Sequence, residues 1–165
     1  MKLTRLVRHL VTTHFSTRRR FPPAVLEAIE QAIRDCEARH AGEIRFVVET
    51  AFDFPELWHD LPARRRALQV FGQLGVWDTA HNNGVLIYVL MADRVVEIVA
   101  DRGIAARVGQ AEWSAVCRQM EHHYRAGDFR EGSIVGILGV GALLGRHFPG
   151  KEPGGNELPD QPVLL

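Results

Sequence analysis

An α/β domain, with a mixed sheet sandwiched between helices, is the fold this sequence predicts, on three observations. The apolar run Val85-Leu86-Ile87-Tyr88-Val89-Leu90-Met91 opens on the tight-turn residues Asn82-Asn83-Gly84. Its β-branched and aromatic content marks a strand buried on both faces. A second run, Arg94-Val95-Val96-Glu97-Ile98-Val99-Ala100, follows Ala92-Asp93 as a hairpin partner, which brings the polar loops 81–84 and 101–103 to one end of the sheet. Around this pair, apolar residues recur at helical spacing, in the order helix, strand, helix, two strands, two helices.

The elements follow from local chemistry. Leu3, Leu6, Val7, Leu10 and Val11 stripe one face of a short amphipathic helix whose other face is basic. Pro22-Pro23 suit the first turn of the next helix, and Val25, Leu26, Ile29, Ala32, Ile33 and Cys36 mark its inner face before Gly42 ends it. Glu43 to Thr50 reads as a strand. Asp60 is placed to cap a helix with Pro62 in its first turn and Leu61, Leu68, Phe71 and Leu74 inward, while Arg64-Arg65-Arg66 form its solvated face. After the hairpin, Trp113, Val116, Cys117, Met120 and Tyr124 define a core helix stopped near Gly127. Asp128 and Glu131 then form a capping-box pattern for a last helix, about 129–147. Its glycines (132, 136, 139, 141 and 145) suit close packing on a neighbour. The Pro/Gly-rich residues 149–165 read as a disordered tail. The expected division is a basic arm over 1–20, a domain over 21–148 and that tail.

At 165 residues and 46% hydrophobic, the chain fits one globular domain with a sizeable core. Net charge is zero but uneven. Six of the 20 basic residues and none of the 20 acids fall in residues 1–20, an arm of +6 against a body of −6. Such an arm suits docking on its own acidic body, an anionic lipid surface or a protein partner. Neutral overall charge without a basic stripe interleaved by aromatics argues against nucleic acid. Cys36 and Cys117 lack metal-ligand spacing and read as reduced core thiols of a cytoplasmic protein. No secretory signal is visible, because Arg5, Arg8 and His9 interrupt the start, and the run 134–144 is too short to span a bilayer.

Three motifs in order carry a resemblance. The segment Asn82 to Leu90, the hairpin, and Arg125-Ala126-Gly127-Asp128-Phe129-Arg130-Glu131-Gly132 resemble the TPM domain. That family shows an Asp-Asn-Gly-Val-Leu-Leu turn and strand, an Arg-x-Glu-Val-Gly-x-Gly second strand, and an Arg-x-Gly-Asp-Tyr/Phe segment before the last helix. The similarity covers about 24–147. It implies a three-layer α/β/α sandwich around a mixed sheet of about four strands. It also implies Ca²⁺ or another divalent cation near the turn in some relatives. A thylakoid member acts as an acid phosphatase, and an animal member as an auxiliary receptor protein. Typical members carry a signal peptide and often a membrane anchor; neither is read in this chain.

Departures from the family pattern fall on the carboxylates. The turn aspartate is Asn82 here; in the second strand the family Arg, Glu and first Gly become Glu97, Val99 and Asp101. An amide oxygen lacks the charge that makes a hard-cation site tight. The candidate metal ligands are Asn82, Asp101 and Asp128, with His81, Asn83, Gly84, Glu97, Arg102 and Gly103 as further loop-site candidates. Asn82-Asn83-Gly84 equally serves turn geometry, and Asp101-Arg102 a local ion pair. His122-His123 match no metalloprotease pattern, and Ser114 and Ser133 lack a nucleophile elbow. No catalytic residue is assigned. The expectation is a non-enzymatic TPM-domain binding protein, peripheral at the cytoplasmic face of a membrane through residues 1–20. The alternative is a divalent-metal-dependent phosphatase. A third reading makes the glycine-lined last helix a docking face within a larger assembly.

Overall fold

The computed structural model describes residues 3–150 and 155–165. Its element order is α1 (Leu3–Val11), α2 (His14–Arg20), α3 (Pro23–Glu37), β1 (Glu43–Glu49), α4 (Phe54–Trp58), α5 (Ala63–Gln73), β2 (Gly84–Leu90), β3 (Val95–Ala100), α6 (Arg102–Ala105), α7 (Gln110–Ala126), α8 (Phe129–His147) and β4 (Val163–Leu164). The strands lie in the order β3-β2-β1-β4; β1 runs parallel to β2 and β4, and β2 antiparallel to β3. The sheet is therefore mixed and four-stranded, with helices on both sides, as expected.

Alternation along the strands builds two cores. Ile44, Phe46 and Val48 of β1, with Val85, Ile87 and Val89 of β2, meet Ile29 and Ile33 of α3, Trp113 and Met120 of α7, and Ile137 and Val140 of α8. On the opposite face, Val47, Leu86, Tyr88 and Leu90 meet Leu57 of α4 and Ala67 and Val70 of α5. Every residue of β2 is buried, which explains its unbroken apolar run. The glycines of α8 let it nest between α7 and α3: Gly136 lies against Met120, Gly139 against Val116 and Gly141 against Cys36. That face is inside the fold, so it is no docking face for another subunit. Among the described residues, no helix is long and apolar enough to cross a membrane.

Several local expectations are corrected. The hairpin loop is 91–94 rather than two residues; the Arg94 N–H closes it on the Met91 carbonyl at 3.2 Å, and Arg94 takes φ +56°. Asp60 does not cap α5. It takes φ +50° and its carboxylate receives the Arg5 guanidinium at 2.9 Å. Leu68 faces solvent, because Ala67 and Val70 supply the inward stripe. Arg64 and Arg66 are not a solvated face: they reach β3 and β1, Arg66 gripping Glu49 and Arg64 facing Glu97. The Asp128 side chain makes no cap hydrogen bond to α8. Instead, the Asp128 N–H closes the end of α7 on the His123 carbonyl, with Gly127 at φ +89°.

The tail is the largest surprise. Residues 155–165 are packed rather than disordered, while 151–154 lie outside the described residues. The Glu157 and Leu158 N–H groups donate to the Glu43 carboxylate, and the Arg45 guanidinium donates to the Pro159 and Gln161 carbonyls. Leu158 enters the second core, and β4 pairs with the outer edge of β1. Charged residues on one face of β1 made this possible.

Candidate functional site

At the end of the sheet where β2 begins and β3 ends, the two predicted loops lock together. Asn82 takes the left-handed conformation, φ +52°, and its backbone carbonyl accepts the N–H groups of Gly103 (2.9 Å) and Ile104 (3.3 Å). Its side-chain Oδ1 accepts from Arg102 Nε at 3.0 Å. Gly103 is required there: a Cβ would stand 2.5 Å from the Asn82 carbonyl oxygen and 2.6 Å from that of His81. His81 is exposed beside them.

Asn83 and Asp101 are buried in this rim. The Asn83 N–H donates to Thr79 Oγ1 (3.1 Å) and its Nδ2 to the Ala41 carbonyl (2.8 Å), tying the turn to the start of β1. Its Oδ1 is buried and, among the described residues, has no hydrogen-bond partner. Asp101 caps the short helix α6, its Oδ1 accepting from the Arg102 N–H at 2.7 Å; its Oδ2 is likewise buried and has no hydrogen-bond partner among the described residues. Gly84 starts β2.

The remaining candidates lie elsewhere. Glu97 is in the middle of β3, opposite Tyr88 and 3.6 Å from Arg64, with burial holding its carboxyl above the ordinary range. Asp128 lies at the α7–α8 corner, beside the hairpin turn's end of the sheet, so a strand's length of about 20 Å separates it from Asn82 and Asp101. The residues do not fit a hard divalent cation. Calcium takes about six to eight oxygens, whereas Arg102 covers the Asn82 amide oxygen and, of the three candidate ligands, Asp101 alone brings a carboxylate to this rim. Among the described residues, no group of three or more His, Cys, Asp or Glu side chains converges in metal-binding fashion.

The N-terminal arm is the second place where chemistry gathers, and it docks with its polar side inward. Arg5 Nε and Nη2 grip Asp93 at 2.9 and 2.8 Å, its Nη1 reaches Asp60, and Nη2 also meets the Leu61 carbonyl at 2.7 Å. One turn on, His9 is buried; its Nδ1 accepts the Phe52 N–H at 2.9 Å, so Nε2 carries the proton. That Nε2 stands 3.1 Å from Asp93 Oδ1, outside well-aligned hydrogen-bond geometry. Burial draws the Asp93 carboxyl upward, but the hydrogen bonds of Arg5 and the close approach of His9 outweigh it and leave its pKa lowered. Burial lowers the His9 pKa by more than the neighbouring Asp93 raises it, and Arg5 and Arg8 add a smaller repulsion in the same direction as burial. The apolar stripe is left outside. Leu3, Val7, Leu10 and Val11 are 73, 50, 70 and 68% exposed; only Leu6 packs on the body. Sequence periodicity found the stripe but not which side of the helix docks, since Arg5, His9 and Asp93 carry no signal of their mutual contact.

Between the sheet and α5, a buried charge cluster is structural. Arg66 Nε and Nη2 bond Glu49 at 2.9 Å each, and the Tyr88 hydroxyl donates to the same carboxylate. Burial and the Glu49 charge push the Tyr88 pKa up, so the phenol stays protonated.

The fold and rim define an α/β/α domain whose mixed open sheet ends in a locked pair of loops. The TPM domain family profile matches residues 18–143, and the chain belongs to that family. The chain is similar to the BA42 protein of the psychrophilic bacterium Bizionia argentinensis, with 32% identity, a TM-score of 0.75, and coverage of 86% of this chain and 93% of that one. The N-terminal domain of a protein from P. gingivalis shares the fold at 23% identity and a TM-score of 0.61, covering 79% of this chain and 82% of that one. The N-terminal domain of the cg2496 protein from Corynebacterium glutamicum does so at 16% and 0.55, covering 74% and 72%. No curated protein matches the sequence.

Proposed function

We propose that this TPM-domain chain acts by binding rather than catalysis, and that α1 lays its apolar stripe on an anionic lipid surface. One observation carries the reading: a helix anchored through Arg5 and His9 presents Leu3, Val7, Leu10 and Val11 to solvent. Exposed apolar stripes flanked by cations favour a lipid interface, since apolar burial and attraction to anionic headgroups add. The exposed Arg8, Arg18, Arg19 and Arg20 supply the cations. The test is co-sedimentation with phosphatidylglycerol and phosphatidylcholine vesicles. The wild type pellets with the anionic vesicles and the double variant Val7→Glu/Leu10→Glu stays in the supernatant. Equal recovery of both proteins in the supernatant removes the reading.

The rival, a divalent-metal-dependent phosphatase, has in its favour Asp101 Oδ2 and Asn83 Oδ1, which are buried with no hydrogen-bond partner among the described residues. An aryl phosphate assay with Mg²⁺, Ca²⁺ or Mn²⁺ separates the two. Metal-dependent turnover that disappears in Asp101→Asn would replace the binding reading.

A further inference from the structure

A cleft of about 670 Å³ opens at the hairpin-turn end of the sheet, between the α1–α2 junction, the turn 91–94 and the α7–α8 corner. Its size falls in the range of small-molecule sites. Four arginines from four different places line it: Arg8 of α1, Arg20 at the end of α2, Arg94 of the turn and Arg125 of α7. Among the described residues Glu121 is the one carboxylate in the wall, and both its oxygens are committed. Oε1 accepts the Val96 N–H at 3.2 Å and Oε2 accepts Arg125 Nη2 at 3.0 Å.

The other three guanidiniums are weakly held. Arg8 reaches Asp93 only at 3.5 Å, and Arg20 reaches the Ser16 carbonyl at 3.5 Å while resting over the Phe129 ring. Arg94 is exposed, and among the described residues no hydrogen bond or ion pair holds its side chain. It also occupies a left-handed backbone position, φ +56°, that glycine or asparagine fills with less strain. Apolar surface completes the wall, with Val11, Met91, Val95 and Phe129 beneath the cations. Phe129 is fixed by stacking on Tyr124, with ring centroids 5.2 Å apart.

We propose that this cleft binds one molecule of an anionic amphiphile, a hydrocarbon tail ending in a phosphate or carboxylate. Guanidiniums match either head in paired, charge-assisted hydrogen bonds, and the apolar wall takes the tail. A bare anion would leave that wall wet; an uncharged chain would leave the arginines unused. The inference goes beyond vesicle binding, because the ligand is a single molecule held between arm and body.

The experiment titrates the full chain with decyl phosphate and with decanoate, each below its micelle-forming concentration, and follows amide chemical shifts. Decanol and inorganic phosphate serve as the two half-ligands. Saturable shifts at 91–95 and 124–129 are expected, with both amphiphiles binding about tenfold or more tightly than either half-ligand. The tighter of the two names the preferred head. Arg94→Gly, which suits its backbone, weakens binding about tenfold with the remaining spectrum unchanged, and Arg20→Gln gives an independent second loss. Val7→Glu/Leu10→Glu, the vesicle-binding variant, leaves the affinity unaltered, so the two ideas fail separately. Equal affinity for decyl phosphate and inorganic phosphate, or for decyl phosphate and decanol, overturns the proposal. Absence of saturable shifts, or full affinity in both arginine variants, does the same.

Discussion

Arg5 and Asp93, 88 residues apart in sequence, meet through three hydrogen bonds, the shorter two of 2.9 and 2.8 Å, that turn the first helix polar side down. Their side chains are only 13 and 14% exposed, so the pair is sheltered from solvent on both sides. The orientation of the apolar stripe follows from this contact. Without it, burial of Leu3, Val7 and Leu10 would favour rolling the helix over, since apolar side chains gain from leaving water.

Asp93→Asn therefore releases α1. Charge-assisted hydrogen bonds contribute about 1.5–3 kcal/mol, and the loss falls on the arm. Hydrogen exchange of amides 5–11 is expected to accelerate markedly while those of β2 stay protected. Unchanged exchange in the arm would show that its remaining contacts, to Asp60, Leu61 and Phe52, hold it without Asp93.

Acid should loosen the same contact through His9. Its folded pKa lies below the ordinary 6.5, chiefly from burial. The unfolded chain takes up that proton first as pH falls. This contribution to stability is complete above about 6.5 and is lost as pH drops through the window between the unfolded and folded values. Unfolding free energies measured across that window should fall more steeply for the wild type than for His9→Gln.

Glu37 has the opposite sign. Burial first, then the neighbouring Glu43 and Asp160 carboxylates, push its pKa up to about 9, against an Ile44 N–H that donates to Oε1 at 2.7 Å. Its contribution is complete below the ordinary 4.5 and lost as pH rises toward about 9. Glu37→Gln keeps the acceptor and removes the proton. It should be more stable than the wild type by about 1–3 kcal/mol at pH ~8, the gap closing near pH ~4. Urea unfolding at both pH values measures this.

Two glycines of α8 make an internally controlled pair. A Cβ at Gly141 would stand 1.9 Å from Cys36 Sγ on α3, whereas at Gly145 nothing lies within 4 Å. Gly141→Ala should cost about 1–3 kcal/mol by overpacking. Gly145→Ala should gain about 0.5–1 kcal/mol from helix propensity. Thermal unfolding of the two variants should move in opposite directions.

Much of the fold was legible because burial leaves periodic traces. The run Val85 to Leu90 is apolar at every position because both faces of β2 are covered, and α3 and α7 show helical stripes because each has one buried face. The locked rim was legible in outline too: the loops 81–84 and 101–103 were expected at one end of the sheet, and the Gly103 N–H donates to the Asn82 carbonyl there. The chemistry was not. Asn83 looked like a turn residue yet is completely buried, and Asp128 was grouped with Asp101 although they lie at opposite ends of the sheet. Composition misled at the tail, where Pro and Gly suggested disorder. Its order rests on Glu43 and Arg45 more than 100 residues away.

Local sequence thus settled the long helices, strands β1 to β3 and which loops share a rim, but not α2, α4, α6 or β4, because periodicity and turn residues act over a few neighbours and short elements leave little of either. Tertiary structure alone decided which side of the first helix faces outward, which arginines share a cleft and what covers the free edge of β1. Those outcomes depend on single charged or hydrogen-bonded pairs between distant residues, and such pairs leave no repeating mark along the chain.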